Sequence, residues 1–194
     1  MRLENVKEIV TEYPFNFIHG TSFQNMIQIL SDGYLRIGTD IPSEENKRLS
    51  NKDEPLKYIF GSMYFPDLKN IKRYPGFSLI ISPFVLADQN IVFNKGWYGK
   101  INNQSIILDS NDGEKLNDNI RIIREILKDN MHIPTELNVQ GWMTHEIMFE
   151  KNIKLKDYLI GIVCFDCTME QVEVVRHHSK KYTNTNIILE KMPF

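Results

Sequence analysis

The sequence predicts a single α+β domain, and three observations support this fold class. Short apolar runs typical of strands recur along the chain, whereas only a few segments repeat apolar residues at helical spacing. No internal repeat or linker divides the 194 residues, a length that suits one domain with its own core. Apolar residues make up 42% and charged residues 25%, which excludes a disordered chain. We therefore expect residues 1–194 to form one domain of short strands with a few helices.

The N-terminal part predicts two helices with a strand between them. A short helix over residues 1–13 ends at the following proline, whose ring blocks a further helical turn. Residues 15–18 read as a strand. Ser22 is the predicted N-cap of a second helix through about Leu30, because an N-cap side chain accepts from the backbone of the first turn. Gly33 ends that helix in the left-handed conformation.

The middle of the chain alternates polar loops with short apolar runs. Residues 39–57 are polar and carry two prolines, which predicts a surface loop, and residues 58–65 are apolar and aromatic. Residues 77–81 predict a strand, residues 83–88 a turn with a short helix, and residues 91–93 another strand.

The C-terminal part predicts two more helices and three more strands. Residues 102–117 are polar and are expected to form a mobile loop. The remaining elements are an amphipathic helix over about 117–128, an alternating strand over 145–150, a buried strand over 158–165, a helix from the capping box at Thr168 to about Arg176, and a last strand over 186–190.

Charge and cysteine content narrow the function classes. A net charge of -2 gives no bulk attraction to nucleic acid, and no apolar run is long enough to span a bilayer. No secretory signal is visible at the N-terminus, so we expect a cytoplasmic protein, or one in the host-cell cytosol if it is viral or a bacterial effector. Cys164 and Cys167 have the spacing of a zinc or redox pair, but a zinc site needs four ligands. We expect core thiols and no metal.

Three segments carry the candidate chemistry. They are Phe17-Ile18-His19-Gly20-Thr21-Ser22, Phe60-Gly61-Ser62-Met63-Tyr64-Phe65-Pro66-Asp67, and His145-Glu146-Ile147-Met148-Phe149-Glu150. In order, spacing and strand context, they resemble the catalytic domain of the poly(ADP-ribose) polymerase-like ADP-ribosyltransferases. The first resembles that family's strand ending in His-Gly-Thr/Ser, the second its Gly-x-x-Tyr-Phe-x-Asp segment, and the third its glutamate-bearing strand.

The resemblance implies a fold, a substrate and a set of site residues. The fold would be a split antiparallel β-sheet, with NAD as the substrate in the cleft between its halves. Glu146, His19 and Tyr64 would be the catalytic residues. The residues that bind NAD would be His19, Gly20, Thr21, Tyr64 and Tyr74, with His19 on a ribose hydroxyl, the Gly20 backbone on the nicotinamide amide, and the Tyr64 ring against nicotinamide.

The expected chemistry needs a fixed carboxylate. Breaking the bond between nicotinamide and ribose passes through a cation-like, oxocarbenium state, as glycoside cleavage does. A fixed carboxylate near the ribose stabilises that charge as it develops. Glu146 stands at the start of a strand and alternates with Ile147 and Phe149, so the strand can direct it away from the apolar face.

The chain also departs from this family's pattern. Many polymerising members place a second tyrosine about eleven positions after the first, whereas Tyr74 stands ten after Tyr64. Arginine-modifying toxins carry a carboxylate or carboxamide two residues before the glutamate, where this chain has Thr144.

The helix after His19 resembles the opening of DNA-modifying DarT-type toxins. Under that resemblance, Trp97 and Tyr98 would hold a base or a protein side chain.

Each candidate residue, taken in isolation, also has a simpler structural interpretation. His19 could be a turn histidine after a strand, Glu146 a solvent-facing strand residue, and Tyr64 a core aromatic. Trp97 and Trp142 fit core or hinge aromatics better than ligand platforms.

The predicted function is that of a glycosyltransferase, an NAD-dependent ADP-ribosyltransferase that transfers single units. A protein acceptor is favoured and a nucleic-acid acceptor is possible. The alternatives are NAD hydrolysis at the same site, a catalytically inactive binding module, and an RNA 2′-phosphotransferase, which normally needs arginines in the cleft that the three segments lack. The oligomeric state stays open.

Overall fold

The computed structural model of the protein describes residues 3–38, 57–64, 76–94, 105–108, 116–131, 146–165, 167–182 and 186–190. The helices in these ranges are α1 (Leu3–Glu12), α2 (Phe23–Asp32), a 3₁₀ helix (Pro83–Ala87), α3 (Leu116–Met131), α4 (Leu155–Tyr158) and α5 (Met169–Ser179). The strands there are β1 (Asn16–Thr21), β2 (Tyr34–Leu35), β3 (Ile59–Tyr64), β4 (Gly76–Ile81), β5 (Ile91–Asn94), β6 (Ile106–Leu108), β7 (Glu146–Phe149), β8 (Ile153–Lys154), β9 (Leu159–Phe165) and β10 (Asn186–Glu190).

Most of these strands form one mixed sheet of eight strands in the order β10-β9-β4-β1-β3-β7-β5-β6. Every described pair in it is antiparallel except β9 with β10, which run parallel. The two shortest strands, β2 and β8, form a separate antiparallel pair. The predicted α+β class with a largely antiparallel sheet is confirmed.

The sheet consists of two halves joined where β1 meets β3. β1 stays paired with β4 as far as Thr21, but its pairing with β3 ends at Ile18 opposite Ser62. The halves are therefore β10-β9-β4-β1 and β3-β7-β5-β6. A Cβ atom at Gly61 would lie 2.8 Å from the carbonyl oxygen of Ile18, so only glycine lets the two strands approach this closely at the junction.

The main hydrophobic core lies against one face of the sheet. Successive side chains of a strand point to opposite faces, and paired residues of neighbouring strands share a face. The core face carries buried residues such as Phe17, Leu79, Phe93, Ile147 and Phe149. The rings of Phe17 and Phe149 meet edge to face at 5.3 Å, a favourable arrangement for an aromatic pair.

The helices complete this core with apolar residues at helical spacing. α1 contributes Val6 and Ile9, and α2 contributes Met26 and Leu30. On α3, Ile123 and Leu127 are fully buried, which confirms the amphipathic helix predicted in this region.

Local signals at the helix ends are confirmed. The Ser22 side chain accepts from the backbone N–H of Asn25 at 3.3 Å, and Gly33 closes α2 with φ of 85°. Thr168 and Gln171 form the predicted capping box at the start of α5. Each signal spans only a few residues, which is why the sequence alone reveals it.

Several expectations need correction. The segment 102–117, expected to be a loop, contains β6, and the short pair β2 and β8 was not predicted. Cys164 and Cys167 form a disulfide, where core thiols were expected, so these sulfurs are not available as thiolate ligands. The predicted loop 39–57 lies almost wholly outside the described residues. Within the described part of the chain, no helix combines the length and apolar character that crossing a bilayer requires.

Candidate active site

Glu146 is a buried carboxylate at the first residue of β7. Its side chain is only 1% exposed, although a charge removed from water is costly unless polar groups compensate it. Asn94, at the end of β5, provides such a group: its Nδ2 donates to Glu146 Oε2 at 2.9 Å. The strand register explains the contact, since Asn94 and Glu146 are directly paired residues of β5 and β7. Backbone pairing therefore fixes the partner of this carboxylate.

Glu146 belongs to a line of polar side chains that crosses half of the sheet. The register places Ser62 of β3 opposite Glu146, and Asn94 opposite Glu146 on the other side. Ser105, immediately before β6, continues the line because its Oγ donates to Asn94 Oδ1 at 2.5 Å. We call Ser62, Glu146, Asn94 and Ser105 the polar row. Paired residues share a face, so the polar row lies on the face opposite the main core.

His19 lies at the junction of the two sheet halves. Its Nδ1 is 2.6 Å from the carbonyl oxygen of Phe60 in β3. A carbonyl oxygen only accepts, so Nδ1 carries the proton and the neutral ring presents Nε2 as an acceptor. Desolvation by the surrounding protein lowers the pKa of His19 from its ordinary value of 6.5, and the hydrogen bond to Phe60 opposes part of that shift. The ring is therefore neutral at pH 7, the form that accepts a hydrogen bond from a hydroxyl.

The predicted catalytic residues lie on neighbouring strands. His19 is on β1, Tyr64 is the last residue of β3, and Glu146 opens β7, and these strands are adjacent in that order. His19 bonds to β3 and Glu146 bonds to β5, so each side chain is fixed to a different strand. Strand alternation places His19 on the face of Phe17, opposite the face of Glu146, so strand pairing by itself does not bring these two side chains together. The His19 ring reaches β3 in the gap where the ladder between β1 and β3 has ended.

Of the remaining predicted site residues, the structure describes Gly20 and Thr21 in full, Tyr64 in its backbone only, and Tyr74 not at all. Gly20 and Thr21 end β1, opposite Ser78 and Phe77 of β4. The backbone of Tyr64 pairs with Asn16, and its side chain is outside the described part of the chain. Tyr74, Thr144, Trp97, Tyr98 and Trp142 also lie outside the described residues.

Two buried hydroxyls on the face of the polar row have no hydrogen-bond partner among the described residues. They are Ser62 Oγ and Ser78 Oγ, and both side chains are fully buried. Ser62 is paired with Glu146, and Ser78 is paired with Gly20. Buried polar groups in proteins are nearly always bonded, so a group left without a partner calls for an explanation such as a bound ligand. These two hydroxyls lie beside two of the predicted site residues.

Sequence reasoning missed Asn94 and Ser105. Asn94 follows the apolar run 91–93 and looks like the start of a loop, and Ser105 lies in a segment that was expected to be one. The available signal was weak: a polar residue directly after a buried strand. Only the register between β5 and β7 reveals its partner.

The chain matches a known family over most of its N-terminal part. Residues 12–130, more than half of the chain, match the model of a family of unknown function, DUF5846. The chain belongs to the DUF5846 family. The matched residues contain His19, Tyr64 and Asn94, whereas Glu146 lies beyond them. The DUF5846 protein is also 28% identical over 196 residues to Uncharacterized protein R11 of Acanthamoeba polyphaga mimivirus, an alignment that covers 92% of this chain and 72% of the viral protein.

Solved structures identify the fold of this DUF5846 protein. It is similar to Thermus sp. 2.9 DarT in complex with ADP-ribosylated ssDNA, with a TM-score of 0.53 and 15% identity over 92% of this chain and 95% of that chain. A second DarT structure from the same source, in complex with NAD+, aligns with a TM-score of 0.48 and 15% identity over 91% of this chain and 94% of that chain. At such low identity the first similarity establishes the fold, and the predicted ADP-ribosyltransferase-like fold is confirmed.

Proposed function

We propose that this protein is an NAD-dependent ADP-ribosyltransferase that transfers one ADP-ribose unit and releases nicotinamide. The fold is that of DarT, and the three segments quoted above resemble ADP-ribosyltransferase motifs. The observation that carries the proposal is Glu146, a buried carboxylate held by Asn94 on a face where the buried hydroxyls of Ser62 and Ser78 lack hydrogen-bond partners among the described residues. A charge that costs free energy to bury is retained where chemistry uses it.

Glu146 would stabilise the transition state through its charge. As the bond between nicotinamide nitrogen and ribose C1′ breaks, the bonding electron pair leaves with nicotinamide and positive charge develops on the ribose. A carboxylate shielded from water acts on that charge more strongly than one in solvent. The lone pair of the acceptor then forms the new bond to C1′, and the proton of the acceptor passes to Glu146. The acceptor gains ADP-ribose and free nicotinamide leaves.

His19 and Gly20 would bind the two ends of the nicotinamide riboside. With Nδ1–H committed to the Phe60 carbonyl, Nε2 of His19 accepts a hydrogen bond from a ribose hydroxyl. Gly20 has no side chain, so its backbone N–H and C=O can approach the nicotinamide amide closely. We assign Thr21, Tyr64 and Tyr74 to the same substrate, with Tyr64 stacked on the nicotinamide ring.

Single-stranded DNA is the first acceptor to test. The sequence favours a protein acceptor. The solved structure that shares the fold with a TM-score above 0.5, however, is a DarT in complex with ADP-ribosylated ssDNA. The net charge of -2 does not prevent this, because a local basic groove can hold a short strand.

The decisive experiment follows the label from NAD labelled in its adenylate part. The wild-type protein is incubated with this NAD and either single-stranded oligonucleotides of varied sequence or a nuclease-treated lysate. Label on DNA or on protein supports transfer and identifies the acceptor class. Label found only as free ADP-ribose identifies an NAD glycohydrolase. NAD that binds, by calorimetry, but is not consumed identifies an inactive binding module. The last two outcomes each contradict the proposal.

A further inference from the structure

Asn94 has the geometry of a residue that serves Glu146. It is fully buried at the end of β5, and it bonds to the carboxylate on one side and to Ser105 on the other. From this geometry we propose that Asn94 is a positioning residue, oriented by Ser105, that fixes the Glu146 carboxylate for the reaction. The inference rests on the proposed function for its catalytic part, and on the hydrogen bonds alone for its structural part.

The carboxylate of Glu146 determines which atoms donate and which accept in the hydrogen bonds from Ser105 through Asn94 to Glu146. An ionised carboxylate only accepts, so the amide nitrogen of Asn94 must face Glu146. The amide oxygen then faces Ser105, whose hydroxyl must donate. Nδ2 of Asn94 also lies 3.9 Å from the sulfur of Met148, a weak acceptor on the same strand as Glu146. Each donor thus points toward β7, and the carboxamide has one consistent orientation.

This arrangement suits catalysis better than stability. A hydrogen bond to a charged acceptor is short and directional, so it fixes the plane of the carboxylate. The same bond requires burying a charge that an apolar residue would avoid. Misplacing a catalytic group by about 1 Å can cost on the order of a hundred-fold in rate. The strand register and the Asn94 amide together hold the Glu146 carboxylate in place and prevent that displacement.

An exchange of donor and acceptor tests the contact without relying on activity. Asn94→Asp places two acceptors face to face and is expected to lower the urea midpoint of unfolding. Combining it with Glu146→Gln restores a donor and an acceptor in reversed order, and at least half of the lost midpoint should return. If Asn94→Asp alone does not fold, a folded double variant is the same result. Asn119→Asp, at another buried asparagine on α3, is the matched control: Glu146→Gln should not recover its loss.

Kinetics test the positioning role. Asn94→Ala is expected to lower kcat about ten- to a hundred-fold with little change in KM for NAD. In a protein that already carries Glu146→Gln, adding Asn94→Ala should not lower kcat further. Ser105→Thr, which keeps the hydroxyl, should retain a kcat that Ser105→Ala loses.

The two proposals fail in different ways. The positioning role of Asn94 is overturned if the double variant is no more stable than Asn94→Asp. It is also overturned if Asn94→Ala lowers kcat as much in the Glu146→Gln protein as in the wild type. A wild-type protein that consumes no NAD contradicts the proposed function, while the exchange experiment still decides whether Asn94 holds Glu146.

Discussion

The two faces of the sheet bury different chemistry on the same strands. On one face, apolar side chains such as Phe17 and Phe149 pack against the helices and form the main core. On the other, the alternate positions carry buried polar groups, including Ser62, Asn94 and Glu146. Burial stabilises an apolar side chain by about 2 kcal/mol, whereas an unbonded polar group costs a similar amount. The first face therefore stabilises the fold by packing, whereas the buried polar groups of the second face lower stability, a cost that the proposed function would explain.

Removing a ring from the core face should have the largest effect on stability. Phe149 is 1% exposed and packs on Phe17, so Phe149→Ala removes apolar contacts and leaves a cavity. We expect a loss of about 3–5 kcal/mol in the free energy of unfolding, measured by urea denaturation. Ile107→Ala on β6, where the side chain is 53% exposed, is the control and should change it by less than about 0.5 kcal/mol. Equal losses at the two positions would show that the core does not lie where the structure places it.

The half-buried imidazole of His19 should make stability depend on pH. Its pKa is lowered in the folded protein, so below about pH 6.5 the unfolded chain binds a proton more readily than the folded one. The contribution to stability is complete above that pH and is lost as the pH falls toward the lowered value. The slope from this one group is at most about 1.4 kcal/mol per pH unit.

The His19→Gln variant isolates this contribution. Glutamine can still donate to the Phe60 carbonyl but does not titrate, so the fall in stability between about pH 6.5 and 5 should become shallower. The measurement is a series of urea unfolding curves across this range for both proteins. An unchanged slope would mean that His19 is as accessible to protons when folded as when unfolded.

Removing a hydroxyl from the polar row should stabilise the protein. Ser62 Oγ is buried without a partner among the described residues, so Ser62→Ala removes an uncompensated polar group and is expected to add about 1 kcal/mol. Ser179→Ala is the matched control, since that hydroxyl donates to the Arg176 carbonyl at 3.1 Å and its loss should destabilise by about 1 kcal/mol. Thermal unfolding of both variants checks this difference, and a destabilised Ser62→Ala would show that its hydroxyl is bonded.

Local features of the fold were predictable, and contacts between distant segments were not. Ser22, Gly33 and the pair Thr168 and Gln171 act on backbone atoms a few residues away, so their residue types suffice. β6 has only three residues, too few to show a periodicity in the sequence. It forms a strand because β5 pairs with it.

The candidate site shows the same division. Glu146 and His19 were identified from motifs that resemble a known family, and their roles stay predictions. Asn94 carries no motif, and its contact with Glu146 follows from a register that joins residues more than fifty positions apart. The disulfide between Cys164 and Cys167 was missed because a two-residue spacing is also compatible with reduced thiols.

Whether the Glu146 carboxylate promotes the cleavage of NAD is tested most directly by its conservative replacement with glutamine. Nicotinamide release is measured in single-turnover reactions for the wild type, for Glu146→Gln, and for Glu150→Gln as a matched glutamate just after β7. We predict a fall of about a hundred-fold or more for Glu146→Gln, as expected when a group that stabilises transition-state charge is lost, and little change for Glu150→Gln. A folded Glu146→Gln protein that releases nicotinamide at the wild-type rate would show that this carboxylate has no part in the cleavage.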